Sequence, residues 1–364
     1  MTIILFLVVL AVLIFVHELG HFLTAKKSGI RVDEFAIGFP PKIFSWVKGE
    51  TKYILNLIPF GGYVKIFGES SNEESISGTD NARSFVNAKR WKQICVFLSG
   101  VGMNIIFAWL LISISFMFGS LVPVGENSST YSKYIKDSQI ILTGVAKDSP
   151  AQKAGLTQGD KIVAVDSVTG ADLKVAKVRE LIEKSIENKI KITYERAGEI
   201  KEILISPEIN FATNRKVVGI FMENVGVVKL NPALALWEGG KLTIITFKQV
   251  AVGLGNFLWQ AVRGQGDFSQ VSGPVGIVGM VGEAANFGLA YFLGFVAFIS
   301  LNLAVINLIP FPALDGGRIL FIVIETIMRR PIKPAVANAV NAIGFFILIT
   351  LLVVISYRDI MKFF

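Results

Sequence analysis

The two histidines of this 364-residue chain fall in one five-residue string, His17-Glu18-Leu19-Gly20-His21. On an α-helix, residues four apart share a face, so both imidazoles can reach one metal ion. Glu18 projects beside them, where it can take a proton from a water that the metal activates. The string lies inside an apolar run over residues 2–25. At about 1.5 Å per residue, His17 falls roughly 24 Å along a span starting near residue 1, within the ~30 Å hydrocarbon core. Two imidazoles and a carboxylate are costly there unless they pair or bind something. A polar knot between helices would meet that cost, but it would not explain the spacing.

Catalytic zinc takes three protein ligands and keeps one position for water. No histidine remains to be the third, and Cys95, the one cysteine, has no second ligand near it in sequence. A carboxylate is therefore required. Asp315 lies in an apolar segment at a helix break, next to Gly316 and Gly317. Glu325 competes, but an i,i+4 pair with Arg329 explains it more simply. The set predicts one zinc per chain on His17, His21 and Asp315, with Glu18 as general base and acid in amide hydrolysis. The reaction also needs an oxyanion stabiliser. Asn307 offers a neutral N–H donor; equally, it can satisfy carbonyls freed by Pro310 and Pro312. Asn104 is a second oxyanion candidate, preceded by Gly100 and Gly102, which permit close helix packing.

The elements that position these residues belong to a membrane protein. The chain is 52% hydrophobic with a mean hydropathy of +0.58, too apolar for an ordinary soluble enzyme and too polar for a bare helical bundle. A polytopic α-helical membrane protein with one sizeable aqueous domain fits. A single cysteine excludes a disulfide framework and a thiolate zinc site. The net charge of +8 is concentrated at membrane edges, which argues against nucleic acid as a partner and for the lipid bilayer. The N-terminal run lacks a basic start, and cleavage as a signal peptide would remove the histidines or cut beside them, so it reads as retained.

Four segments are long enough to span: 2–25, 93–122, 289–327 and 335–356. The third is interrupted by Asn307, Pro310, Pro312, Asp315, Gly316 and Gly317, which predicts two half-helices joined by an unwound turn. Residues 242–262 are a fifth candidate, with Lys248 and Gln249 at their centre; the favoured reading is an amphipathic helix at the outer interface. Lys26, Lys27, Lys89, Arg90, Lys92, Arg329, Arg330 and Lys333 place 26–92 and 328–334 in the cytoplasm, with both termini and 121–288 outside. The predicted partition is 1–27 (first span), 28–92 (membrane-associated β-hairpin and polar loop), 93–122 (second span), 123–232 (extracytoplasmic α+β domain), 233–288 (interfacial helix), 289–327 (broken third span), 328–334 (cytoplasmic loop) and 335–364 (fourth span).

Within 30–67, segments 32–38 and 53–57 are rich in β-formers, punctuated by Pro40-Pro41, Lys48-Gly49 and Gly61-Gly62. Phe39, Phe44 and Trp46 are too apolar for a free loop; the hairpin either dips into the membrane or packs on its inner surface. Its 53–66 part offers a strand edge for a substrate peptide held extended. Residues 69–84 read as a polar, mobile loop. Segment 121–240 carries 16 basic and 15 acidic residues, the balance of a water-soluble module.

Two resemblances emerge. Over about 140–210, Ser149-Pro150-Ala151, Ala154-Gly155-Leu156 and Gly159-Asp160-Lys161-Ile162-Val163 are similar in order to a bacterial PDZ domain. Such a domain either binds an extended peptide at a sheet edge or acts as a steric spacer. The His-Glu-x-x-His string, Asn307-Leu308-Ile309-Pro310-Phe311-Pro312-Ala313-Leu314-Asp315-Gly316, Phe60-Gly61-Gly62-Tyr63 and Ser272-Gly273-Pro274 together resemble the site-2 protease family, in its bacterial regulator of sigma-E branch. The resemblance implies an intramembrane zinc metalloprotease of the bacterial inner membrane. Its substrates would be proteins with a single transmembrane segment, already cut by another protease, such as anti-sigma factors or remnant signal peptides. It implies zinc on His17, His21 and Asp315, Glu18 as base, Asn307 in contact with substrate, a re-entrant β-loop after the first span and a PDZ region that filters substrate by size. This chain has room for one PDZ module where the family's best-known member has two, and Arg318 stands where a histidine is common. A transporter is the rival class, since broken helices with a buried carboxylate also mark ion pathways, but it leaves Glu18 unexplained. An inactive scaffold that binds protein tails leaves the metal-ligand spacing unexplained.

Overall fold

A computed structural model describes residues 1–69, 78–124, 131–170, 173–185, 189–196, 198–210, 215–266 and 271–361. Helix α1 (Thr2–Lys27) leads to strands β1 (Val32–Lys48) and β2 (Thr51–Ile66) and to α2 (Arg90–Phe118). Then come β3 (Ser120–Pro123), β4 (Ile135–Val145), the single turn α3 (Pro150–Lys153), β5 (Lys161–Val165), β6 (Val168–Thr169) and α4 (Val175–Glu183). Strands β7 (Ile190–Arg196), β8 (Glu199–Ile205), β9 (Glu208–Asn210), β10 (Arg215–Val217) and β11 (Ile220–Val228) follow. The remaining helices are α5 (Pro232–Val262), α6 (Pro274–Asn286), α7 (Leu289–Leu308), α8 (Asp315–Met328) and α9 (Pro334–Met361). They divide into two compact units. One holds Met1–Ser113, Leu236–Gly282 and Leu293–Phe364; the other holds Ile114–Ala235 and Glu283–Phe292.

In the first unit the long helices wear apolar side chains outward: Ile4 and Val8 on α1, Ile106 on α2, Phe345, Phe346 and Leu352 on α9. Water rejects such a surface and lipid accepts it. Among the described residues five helices, α1, α2, α5, α7 and α9, are long and apolar enough to cross a membrane, against four expected spans. The additional one is α5, which begins at Pro232 rather than near 242. Its start is signalled locally: Asn231 Oδ1 accepts from Leu234 N–H at 3.0 Å, and Pro232 follows the cap.

The break between α7 and α8 falls where the prolines predict it. Phe311 N–H donates to Ile309 O at 2.7 Å, and Ala313 holds φ of +72°, a left-handed conformation that residues other than glycine rarely adopt. Gly316 and Gly317 let the first turn of α8 fold against its own approach, since a Cβ on Gly316 would strike the carbonyls of Leu308 and Ile309. Asn341 of α9 braces the turn, its Oδ1 accepting from Ala313 N–H at 3.2 Å.

Strands β1 and β2 fold back so that one stretch pairs twice. Residues Val32 to Ile37 face Ile66 to Gly62 on one side, while Glu34 to Ile37 face Lys52 to Leu55 on the other; Phe44 to Lys48 then pair with Leu55 to Thr51. Residues 62–66 therefore form one edge of this small sheet. Its inner end joins Phe22, Ala25, Phe35, Val96, Phe97 and Ile322 in a core between α1, α2 and α8. Its tip exposes Phe39, Phe44, Trp46 and Leu57. Of the expected polar loop, 70–77 lie outside the described residues. The described end is tied down, Asp80 to Arg31 and Arg83 to Glu50, each at 2.7 Å. Glu325 differs from the expectation. Its partner is Arg90 of α2 at 2.8 Å rather than Arg329, because Arg329 turns into a left-handed conformation that ends α8.

The second unit is an α+β module around a sheet ordered β3-β11-β4-β5-β7-β8, with β6 on β5. Alternation along β7 buries Ile190, Ile192 and Tyr194 against Ile140, Leu142, Leu156, Val178 and Ile182. Ser149 caps α3, accepting from Gln152 N–H at 3.2 Å. Buried Asp160 receives Arg196 Nε and Nη2, each at 2.6 Å, and that bond raises the Arg196 pKa further.

Candidate metal centre

Helix α1 is apolar on all sides, so its two histidines and Glu18 must meet polar partners inside the fold rather than lipid. Gly20 permits this: a Cβ there would collide with the Ser99 carbonyl, so α1 and α2 cross backbone to backbone. Gly100 of α2 then leaves a hollow that both imidazoles fill. A Cβ at Gly100 would lie 2.5 Å from His21 Nε2 and 2.8 Å from His17 Cε1.

Asp315, the first residue of α8, reaches into the same hollow. Its Oδ2 stands 3.0 Å from His17 Nε2 and 3.3 Å from His21 Nε2, and the two Nε2 atoms are 3.1 Å apart. This is the convergence expected from sequence: one ligand atom from each residue, all within 4.8 Å of one another. The triangle tests directly for a metal. Asp315 Oδ2 is buried and receives no hydrogen bond, although two ring nitrogens are close. Three potential ligand atoms crowd together around an orphaned, buried carboxylate oxygen, an arrangement that a cation stabilises. Bonds of about 2.0–2.2 Å in tetrahedral coordination set ligand atoms roughly 3.3 Å apart, and the observed edges match. The residues fit zinc.

Behind the ligands, the Val96 carbonyl lies 2.8 Å from His21 Nδ1, fixing that ring's orientation. Asn104 is fully buried with Nδ2 3.3 Å from His17 Nδ1. In front of them opens a cavity of about 370 Å³ lined by His17, Glu18, His21, Asn307, Asp315 and β2 residues Tyr63, Val64 and Ile66. Asn307 thus faces the cavity, and it is Asn341 that braces the proline turn. Asn104 does not line this cavity, so the oxyanion role expected of it has no geometric support.

Three neighbours named in the sequence without a part at the metal centre, Arg318, Tyr63 and Gly62, stand beside it. Arg318, one turn beyond Asp315, lines the cavity and pairs with Glu69, its guanidinium 5.4 Å from the Phe97 ring centre. Its position three residues after a ligand was the available signal. Tyr63 lines the cavity and donates to Glu34 at 2.9 Å. Gly62 brings β2 against Glu18: a Cβ there would sit 3.5 Å from Glu18 Cγ.

Two histidines from one long apolar helix and an aspartate from the start of another helix make up the ligand set of a metallohydrolase. The sequence profile of peptidase family M50 matches residues 5–351, and the chain belongs to that family. Putative zinc metalloprotease CPE1693 of Clostridium perfringens is 35% identical over 365 residues, covering 99% of this chain and 98% of that protein. A relative from Clostridium acetobutylicum with the same form of name is 31% identical, covering 96% and 94%. One from Staphylococcus aureus is 29% identical, covering 100% and 99%. The protein is a zinc metalloprotease with zinc as its cofactor, and a multi-pass membrane protein.

Proposed function

We propose that this protease hydrolyses peptide bonds within or beside transmembrane segments, with zinc held by His17, His21 and Asp315. The observation that carries the proposal is the convergence of three buried ligand atoms from α1 and α8 in a hollow walled by apolar helices. When bound there, zinc supplies a Lewis acid that acidifies water and polarises the scissile carbonyl. Glu18, next to the ligands and against the cavity, accepts the proton from the attacking water and returns it to the leaving amine. Asn307 offers its amide N–H to the carbonyl oxygen as charge develops there.

A transmembrane substrate helix hides its peptide bonds in its own hydrogen bonds and must be unwound. The edge formed by β2 residues 62–66 supports this step. It pairs with β1 on one side only among the described residues, and Tyr63, Val64 and Ile66 line the cavity. An extended peptide added to that edge would lie along the cavity.

The substrates are membrane proteins with one transmembrane segment, pre-cleaved by another protease, of the anti-sigma factor or remnant signal peptide kind. The location is the bacterial inner membrane. The β1–β2 sheet faces the cytoplasm, with both termini and the α+β unit outside; α1, α2, the α7–α8 pair and α9 cross, and α5 lies along the outer interface. The α+β unit acts as a PDZ-like filter of substrate size; its Ser149-capped turn and buried sheet core are compatible with that role.

The test uses purified full-length enzyme and a single-span membrane substrate. A chelator abolishes cleavage and one zinc per chain restores it. Glu18→Gln retains zinc and loses cleavage by 10²-fold or more, roughly the range of general acid–base catalysis. Cleavage surviving Glu18→Gln would remove Glu18 from the mechanism. Zinc retained at full affinity in Asp315→Ala would remove the proposed third ligand.

A further inference from the structure

Helix α2 backs both imidazoles of the centre, by two different devices. His21 Nδ1 lies 2.8 Å from the Val96 carbonyl oxygen. A carbonyl only accepts, so Nδ1 carries the hydrogen and Nε2 turns its lone pair towards His17 and Asp315. Behind His17 Nδ1, at 3.3 Å, stands the Asn104 side-chain amide instead. Asn104 is fully buried, its Oδ1 has no hydrogen-bond partner, and its main-chain oxygen accepts from Ser300 Oγ of α7 at 2.8 Å.

The direction of the Asn104 amide decides what His17 can do. With nitrogen towards the ring, Nδ1 must accept. The ring hydrogen then sits on Nε2, among ligand atoms 3.0 and 3.1 Å away, and His17 cannot bind a metal. With the amide turned about its last bond, oxygen faces the ring. His17 Nδ1–H donates, Oδ1 gains the donor it otherwise lacks, and both Nε2 lone pairs face one point. Amide oxygen and nitrogen are nearly identical in shape, so the turn leaves the ring contact in place.

We propose that Asn104 is a positioning residue for the metal centre: its amide oxygen accepts His17 Nδ1–H and so holds that imidazole in the tautomer and orientation that ligate zinc. The inference rests on the reading of His17 as a zinc ligand. It replaces the oxyanion role expected from sequence, because Asn104 stands behind the ring and outside the cavity. It also assigns a purpose to a fully buried amide inside a membrane helix, where an unsatisfied polar group is costly.

The experiment measures the zinc dissociation constant of purified full-length protein by competition with a chromophoric chelator, with cobalt substitution as a spectroscopic check on ligand geometry. Asn104→Leu, nearly the same size but without an acceptor, is expected to weaken zinc by about 10- to 100-fold, the usual effect of losing a group that orients a histidine ligand. Asn104→Asp, which keeps an acceptor oxygen, retains tight zinc. Ser300→Ala removes the buried bond to the Asn104 backbone without touching His17, and leaves zinc affinity unchanged. Asn104→Ala replaces the leucine variant if that protein does not fold, with the same loss expected. Wild-type affinity in Asn104→Leu or Asn104→Ala overturns the inference, as does Asn104→Asp binding as weakly as they do. His17→Ala separates the two readings. Zinc lost there but held by Asn104→Leu sinks only the positioning role, whereas zinc held at full affinity by His17→Ala sinks the ligand assignment beneath it.

Discussion

Gly100→Ala is the sharpest perturbation of the centre, because one methyl group lands between the two imidazoles. The added Cβ would stand 2.5 Å from His21 Nε2, 2.6 Å from His21 Cε1 and 2.8 Å from His17 Cε1. Relaxed contacts between such atoms fall near 3.5 Å or beyond, so His21 must retreat by about 1 Å and His17 by somewhat less. His21 has little freedom to do so while its Nδ1 is bonded to Val96 O. Metal–ligand distances tolerate only about 0.2 Å, and a misplacement of roughly 1 Å at a reacting centre costs on the order of 10²-fold. Zinc affinity and cleavage should both fall by about 100-fold. The helix itself should not suffer, since alanine is better than glycine in a helix interior by roughly 0.5–1 kcal/mol. Gly102→Ala is the matched control: two residues along the same helix, a Cβ meets nothing within 4 Å. Zinc content by mass spectrometry, cleavage of a single-span substrate and thermal unfolding are measured on both variants. Wild-type zinc content and cleavage in Gly100→Ala would refute the placement of the imidazoles against α2.

Three further outcomes are expected. Asn307→Ala should keep zinc and lower kcat by about 10²–10³, as for loss of an oxyanion donor, and unchanged kcat would return Asn307 to a packing role. Asp359→Ala should lower stability by about 2–3 kcal/mol, read from the thermal unfolding midpoint, because buried Asp359 Oδ2 accepts from Gly273 N–H at 2.8 Å and Gly276 N–H at 2.9 Å at the start of α6. An unshifted midpoint would show those amides to be satisfied otherwise. Single cysteines along α5, probed in a Cys95→Ala background with a membrane-impermeant thiol reagent, should label from one side of the membrane only; labelling of its two ends from opposite sides would make α5 a fifth crossing.

The chemistry was more legible than its support. His17, Glu18 and His21 announce themselves because helical spacing is local, and Asp315 follows by elimination once histidine and cysteine are exhausted. The helix break was readable for the same reason, since Pro310 and Pro312 act on their own backbone. What escaped depends on which backbones touch. Gly100 looks like any packing glycine until α1 is laid across α2, and Asn341 braces the proline turn from a helix that follows it in sequence. Glu325 was assigned a partner on its own helix, whereas Arg90 of α2 holds it. The interfacial region expected from 233 matches the start of α5 at Pro232, where Asn231 caps the helix, whereas the apolar stretch 242–262 marks only its later part.

The seat of Asp315 is not built from α7 and α8 alone. Asn341 holds the Ala313 amide, and a Cβ on Gly344 would lie 2.6 Å from Pro312 Cβ, so α9 presses directly on the bend that carries the carboxylate. Yet α9 turns Phe345, Phe346, Leu351, Leu352 and Val353 to its surroundings. A helix long and apolar enough to cross a membrane thus leans on the proposed ligand that does not come from the histidine helix. Bilayers whose acyl chains are too short or too long tilt such helices, so turnover in vesicles of graded thickness should pass through an optimum; a flat profile would mean that the bend bears the strain alone.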